Sequence, residues 1–274
     1  MANHGDIQLP TRYEIRRLEP QHEEWVCALS AHANIYQGWF GDFYDGQRAK
    51  FALRFFRNSF GNYRRTLERG MSYGIFDKEY KFKRPESAAT NGALYWSEFD
   101  ENDVDLEVEG RQKLSNAMDF PLVHYGMAHD ASDLECARLL FQPYAEEFPD
   151  IGYVFTARPP NMPEHNEEPP EPGKVVGRNG TATADGHTGK GLMKALAHFM
   201  MHEAKENGYE KIHINSTSKA VHHVYSNVPA PYRAQILMEY HAQDHEVQID
   251  GRSVKVFERC KDPFIGSVEV FLSE

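Results

Sequence analysis

The run Asp185-Gly186-His187-Thr188-Gly189-Lys190-Gly191-Leu192-Met193 constrains this chain more than any other stretch. It is a glycine-bearing turn that leads straight into an amphipathic pattern. Leu192, Ala195, Leu196, Phe199, Met200 and Ala204 recur at helical spacing, and Gly208 stands where a C-terminal glycine would. The pattern predicts a helix from Leu192 to Asn207. Gly186, Gly189 and Gly191 let the backbone turn sharply and leave amide N–H groups uncovered. The first N–H groups of a helix have no internal partner and sit at the positive end of its dipole. A phosphate-bearing ligand held mainly by backbone is therefore expected here, with Lys190 adding a charge. Two familiar phosphate loops fail by position. A nucleotide P-loop needs glycine at Ala184 and a hydroxyl at Gly191, and a dinucleotide fingerprint needs glycine at Lys194. An ordinary strand-to-helix turn is the competing reading of these glycines.

Downstream, Tyr209 to Asn215 reads as a short strand and Ser218 to Tyr225 as a second helix. The order strand, glycine-rich turn, helix, strand, short helix resembles the core of the GNAT superfamily of acetyl-CoA-dependent N-acetyltransferases, over residues 175–226. The family's turn carries Arg/Gln-x-x-Gly-x-Gly/Ala, and the matching residues are Thr188-Gly189-Lys190-Gly191-Leu192-Met193. Gly191 is kept, Thr188 replaces Arg/Gln, and Met193 replaces the last small residue. The family's short helix often reads Asn-x-x-Ala-x-x-Leu-Tyr, against Ser218-Lys219-Ala220-Val221-His222-His223-Val224-Tyr225 here.

That resemblance implies one GNAT-like α/β domain over 1–274, with a mixed, largely antiparallel central sheet flanked by helices. It implies acetyl-CoA as acyl donor, held by Thr188, Gly189, Lys190, Gly191, Leu192 and Met193, with Asn215 and Ser218 at the neighbouring strand end. In such chemistry an amine attacks the thioester directly, so no enzyme nucleophile is needed and placement supplies much of the rate. A phenol is a suitable acid for the departing thiolate, and the resemblance gives Tyr225 that role. A helix-end aromatic packing on the sheet is the plainer reading of Tyr225. His213 alternates with Ile212 and Ile214 on a strand that flanks the acyl site in GNAT-like proteins, so it and Asp185 are candidate bases. A buried structural histidine competes with that reading.

Charge bears on the partner. The formal net charge is −11, from 41 acidic and 30 basic residues, a field that repels nucleic acid and attracts cationic amines or basic peptides. Arg48, Lys50, Arg54, Arg57, Arg64, Arg65 and Arg69 depart from it, on a stretch that also carries Phe51, Phe55, Phe56 and Phe60. A helix with phenylalanines inside and a solvated basic face accounts for them, and a docking face for an anion or a partner is the competing reading. At 274 residues, with 41% hydrophobic content, the chain can bury a substantial core. No apolar run reaches membrane-spanning length, and Met1 to Pro10 is polar, so a cytoplasmic protein without membrane contact is expected. Cys27, Cys136 and Cys260 are few and widely spaced, as in a reducing compartment. His198 and His202 share a helix face, but no third ligand is identifiable and no metal is expected.

The remaining elements are expected as follows. Tyr13 to Leu18 reads as a first strand and Gln21 to His32 as a helix, with a loop over Gly38 to Gly46. One helix is expected over Phe51 to Arg69. Strands are expected at Met71 to Phe76 and Gly92 to Phe99, then a weakly patterned acidic stretch at 101–116. A helix lies within Ser132 to Phe141, and Ile151 to Thr156 reads as a short strand. Pro159 to Pro172 is rich in proline and glutamate and reads as an extended, mobile loop. Gln235 to Tyr240, Arg252 to Phe257 and Ile265 to Leu272 supply late strands, with a hairpin turn at Asp250-Gly251. The expected function is acetyl-CoA-dependent N-acetylation of a primary amine, small and cationic by the overall charge; oligomeric state is unknown. Acylation of a protein N-terminus or lysine, or a non-catalytic acyl-CoA-binding protein, are the alternatives.

Overall fold

The computed structural model describes residues 9–103, 105–148 and 169–273. Strand β1 (Tyr13–Arg17) leads into helix α1 (Glu23–Tyr36), and a 3-10 segment at Trp39–Tyr44 joins it to α2 (Arg48–Ser59) and α3 (Arg64–Glu68). Next come β2 (Tyr73–Asp77), α4 (Pro85–Thr90), the two-residue β3 (Ala93–Leu94), α5 (Asp105–Asn116) and the two-residue β4 (Met118–Asp119). The long β5 (Leu122–Asp130) and α6 (Leu134–Glu147) follow. Later come β6 (Val175–Thr183), α7 (Leu192–Glu206), β7 (Lys211–Ser216) and α8 (Lys219–Ser226). β8 (Arg233–His241), the hairpin β9 (Glu246–Ile249) and β10 (Arg252–Lys255), and β11 (Phe264–Phe271) complete the order.

Seven strands form one sheet in the order β1-β2-β5-β6-β7-β11-β8. Every neighbouring pair is antiparallel except β6 and β7. Their parallel pairing runs only from Val175 against Lys211 to Arg178 against Ile214. Beyond it β6 keeps β5 as far as Thr183 opposite His124, while β7 keeps β11 as far as Ser216 opposite Gly266. Two central strands therefore part in a V. A β-bulge marks the point of departure: Met127 of β5 stands opposite both Asn179 and Gly180, and Gly180 takes φ +79°.

The buried residues divide between the sheet's two faces. On one, Leu29 of α1, Phe55 of α2 and Leu140 of α6 join Tyr125 and Met127 in a single core. On the other, Leu196, Met200 and Met201 of α7 pack with Ile75, Ile212, Ile214, Val268 and Val270. Strand period explains β7: Ile212 and Ile214 are buried while His213 and Asn215 between and beyond them are not. Among the described residues no helix is long and apolar enough to cross a membrane.

Several expected elements differ, each for a physical reason. The single helix over Phe51 to Arg69 is two helices. Gly61 between them has φ +90°, and the buried Glu23 carboxylate accepts the N–H groups of Gly61 and Arg64, both at 2.8 Å. The strand expected over Gly92 to Phe99 shrinks to β3, which pairs with β4 outside the main sheet. Its place in the sheet belongs to β5, a strand not foreseen, whose first eight residues are all buried. The acidic stretch forms α5, which buries only Leu106, Gly110 and Leu114. β10 pairs with β9 apart from the main sheet, around the expected turn at Asp250 and Gly251 with φ +50° and +75°. Ile151 to Thr156, and 159–168 of the Pro/Glu loop, lie outside the described residues.

Candidate functional site

The V between β6 and β7 opens into a cavity of about 780 Å³. The glycine turn forms one end. Gly186, Gly189 and Gly191 have φ of +80°, +74° and +75°, and a Cβ on any of them would meet nothing within 4 Å. The left-handed backbone, rather than crowding, selects glycine there. Helix α7 starts from Gly191 with no side chain capping its first amides. Thr188, Gly189, Gly191, Leu192, Met193 and Lys194 all line the cavity. Uncapped amides at a positive helix end, on a turn without side chains over it, suit a pyrophosphate. The turn is pinned from behind by Tyr13, whose hydroxyl lies 3.1 Å from His187 Nδ1 and 3.5 Å from Lys190 Nζ.

The middle of the cavity is the V itself. Asn179 to Thr183 of β6 face Ile214, Asn215 and Ser216 of β7 across it. Ser218 and α8 close one side, and the Trp39 indole N–H fixes this corner by donating to the Thr217 carbonyl at 3.1 Å. Arg178 stands at the apex, only 5% exposed. Its Nη1 donates to the carbonyls of Met127, at 2.9 Å, and Gly180, and its Nε donates to the Tyr225 hydroxyl at 3.1 Å.

Nearby, His124 is 1% exposed, with Nδ1 2.8 Å from Thr183 Oγ1. Burial, reinforced by the Arg178 charge, pushes its pKa down from 6.5 to about 3. The ring is thus a neutral hydrogen-bonding group at the cavity wall and a feeble base. Between pH 6.5 and 3 only the unfolded chain takes up this proton, so the stability it contributes is present above 6.5 and lost as pH falls. The loss from this group alone should reach about 2 kcal/mol at pH 5. Urea unfolding at pH 7 and pH 5 should show a smaller drop for His124→Gln than for the natural chain; an equal drop would contradict the assignment.

The other end is aromatic, and none of the described residues named there is charged. Phe40, Tyr63, Leu140, Phe141 and Tyr144 line it with Asn34. Asn34 Nδ2 donates to the Tyr144 hydroxyl at 2.9 Å and to Ser30 Oγ at 3.2 Å. Burial raises the Tyr63 and Tyr144 phenols above their ordinary range, so both stay protonated. Among the described residues lining the cavity there is no Asp or Glu.

Of the residues singled out in the sequence, Thr188, Gly189, Gly191, Leu192, Met193, Asn215 and Ser218 converge on this one cavity. Lys190 belongs to the same turn but directs its amine to Tyr13. Asp185 accepts two bonds from Arg111 and one from Gln37, each 3.0 Å, and Arg111 holds its carboxyl below the usual range. That engagement makes Asp185 a poor proton acceptor. His213 is not among the residues lining the cavity: it sits in the sheet between Gly177 and Glu269, one residue before the strands part. Tyr225 is buried at 1% exposure and lines a second cavity, with Arg178 bordering both. His124, Arg178, Tyr63 and Tyr144 were not foreseen. His124 and Arg178 lie on β5 and β6, and the buried run of β5 was the one available signal.

No family model matches this chain, and no curated protein matches it significantly. Solved structures do. The C-terminal condensation domain of Ebony, in complex with beta-alanyl-dopamine, is 15% identical, with 94% of this chain and 97% of that one covered and a TM-score of 0.51. An insect protein assigned as arylalkylamine N-acetyltransferase 7, from the yellow fever mosquito Aedes aegypti, is 9% identical, with 95% and 88% covered and a TM-score of 0.50. The fold is GNAT-like, a mixed α/β arrangement with a largely antiparallel sheet flanked by helices, as the resemblance in the sequence implied.

Proposed function

We propose that this protein is an N-acyltransferase that moves an acetyl group from acetyl-CoA to the primary amine of a molecule with an aromatic, uncharged body. One observation carries the reading: a single cavity joins an uncapped, glycine-lined helix start to an aromatic end, with no carboxylate among the described residues lining it, through a gap between two parted strands. The acyl donor supplies a thioester carbonyl. The amine nitrogen forms the new C–N bond as the C–S bond breaks, and one proton passes from nitrogen to sulfur, giving an amide and a free thiol.

Each part of the cavity has a task in that reaction. The amides from Gly189 to Met193 bind the pyrophosphate. Residues 179–183 of β6, unpaired on the side facing β7, offer backbone groups to an extended amide-bearing arm. Phe40, Phe141 and Tyr144 hold the acceptor's ring. With Arg178 and Lys194 in the lining and no carboxylate among the described residues there, the ammonium form of the acceptor is disfavoured, so the amine arrives neutral and no strong base is required. The cationic preference read from net charge finds no counterpart in this lining. The two structural neighbours, one bound to beta-alanyl-dopamine and one assigned to arylalkylamines, support an aromatic acceptor. Tyr225, outside this cavity and bonded to Arg178 at its border, is the proposed proton donor to the thiolate.

Thermal unfolding with acetyl-CoA, then turnover of an amine panel, tests this. At 100 times its dissociation constant acetyl-CoA should stabilise the fold by about 2.7 kcal/mol. Arylethylamines should outpace agmatine and spermidine, and kcat/KM should rise about tenfold per pH unit below the acceptor's own pKa, because the neutral amine reacts. Absence of any shift with acetyl-CoA removes the acyltransferase reading; binding with better turnover of polyamines removes the aromatic acceptor.

A further inference from the structure

A second cavity, of about 360 Å³, lies between α7 and the sheet, behind the parted strands. Half of its wall is apolar, formed by Ala128, Val176, Met200 and Ile212. The polar part of the lining includes three guanidinium groups, those of the exposed Arg17 and Arg69 and the buried Arg178, beside tyrosines and Asn207. Arg69 is already paired with Asp133. Among the described residues lining it the one carboxylate, Glu203, accepts from the Tyr73 hydroxyl at 2.9 Å.

Arg178 is the anomaly. It is only 5% exposed, yet its partners are two carbonyls and a phenol, with no carboxylate among the described residues. Nη2 takes none of these bonds. Gly126 makes room for it, since a Cβ there would stand 2.6 Å from Nη2 and 2.9 Å from the Met200 sulfur. A buried charge without a counter-charge is costly, and a fork of N–H donors is shaped for a carboxylate. The cavity's positive character also runs against a chain of net charge −11.

We propose that this second cavity binds a small organic carboxylate with a short, unbranched apolar body. The carboxylate meets Nη2 of Arg178 and the body lies along Val176, Met200 and Ile212, with Arg17 attracting the anion from the rim. The site shares Arg178 and Tyr225 with the acyl-transfer reading, but its binding test does not depend on turnover. Because Arg178 also holds the Gly180 carbonyl in the β6 bulge, occupancy is felt where the strands part.

Calorimetric titration of the full chain with butyrate and hexanoate at constant ionic strength is the test, with butyramide and inorganic phosphate as comparison ligands. One-to-one binding is expected for the carboxylates, tightening about fourfold per added methylene until the cavity is full. Butyramide should not bind. Arg17→Gln, at an exposed position outside the larger cavity, should weaken butyrate at least threefold without changing the melting temperature. Arg178→Gln should abolish binding in a chain that still unfolds cooperatively; if that variant does not fold, Arg17→Gln and the butyrate–butyramide contrast decide. Equal binding of butyramide, phosphate binding with no chain-length effect, or affinity unchanged in Arg17→Gln overturns the proposal.

Discussion

Tyr225→Phe is expected to lower kcat by about 10²–10⁴-fold, the usual worth of a general acid, while acetyl-CoA affinity stays nearly constant. The hydroxyl accepts Nε–H of Arg178 at 3.1 Å, an arrangement that leaves its own proton uncommitted to that bond. Arg178 borders both cavities, so the phenol stands one guanidinium away from the gap between β6 and β7. Phenylalanine keeps the ring, which belongs to the α7-side core, and removes the proton. It also leaves the buried Arg178 Nε without its acceptor, at a cost of about 1–3 kcal/mol in stability. Melting temperature should therefore be followed beside the kinetics, and rates measured well below it. The high-pH limb that a phenolic acid imposes on kcat should vanish in the variant. A kcat within threefold of the natural chain, with the same pH profile, would make Tyr225 an anchor for Arg178 and leave the acid elsewhere.

What the sequence made legible was local. Gly186, Gly189 and Gly191 advertise a left-handed turn through their own dihedral freedom, and α7 carries its period within one stretch of fifteen residues. The order of turn, helix and strand carried the resemblance that grouped Asn215 and Ser218 with Gly189, and all three line one cavity. β5 was opaque because it is buried on both faces, which erases the alternation a half-buried strand shows. Its partners also come from far away, Tyr73 on one side and Thr181 on the other. The break between α2 and α3 needed Glu23, about forty positions upstream, to take the amides of Gly61 and Arg64. The aromatic end of the cavity gathers Asn34, Tyr63 and Tyr144 from three separate segments, none carrying a local mark. Net charge says little about this cavity for a related reason. Asp133, Glu147 and Asp185 are engaged by Arg65 and Arg69, Arg54, and Arg111 respectively, and none of them lines the cavity that the acceptor would enter.

The glycine turn offers a second large effect that separates charge from shape. Gly189 lines the cavity at φ +74°, with open space where a Cβ would be. Asparagine and aspartate both tolerate this left-handed region better than other side chains, so each substitution strains the backbone to a similar, small degree. They differ by one negative charge a few ångströms from the proposed pyrophosphate. At such distances near a protein surface, repulsion is worth about 1–3 kcal/mol. Gly189→Asp should therefore weaken acetyl-CoA by about 10–100-fold, while Gly189→Asn costs a few-fold at most. The gap between the two should narrow as salt is raised, because an exposed charge is screened. Dephospho forms of the donor would not change this result, since the pyrophosphate itself is the group opposed. Equal affinities for the two variants would mean that the phosphates do not lie on this turn, and the start of α7 would lose its place in the site.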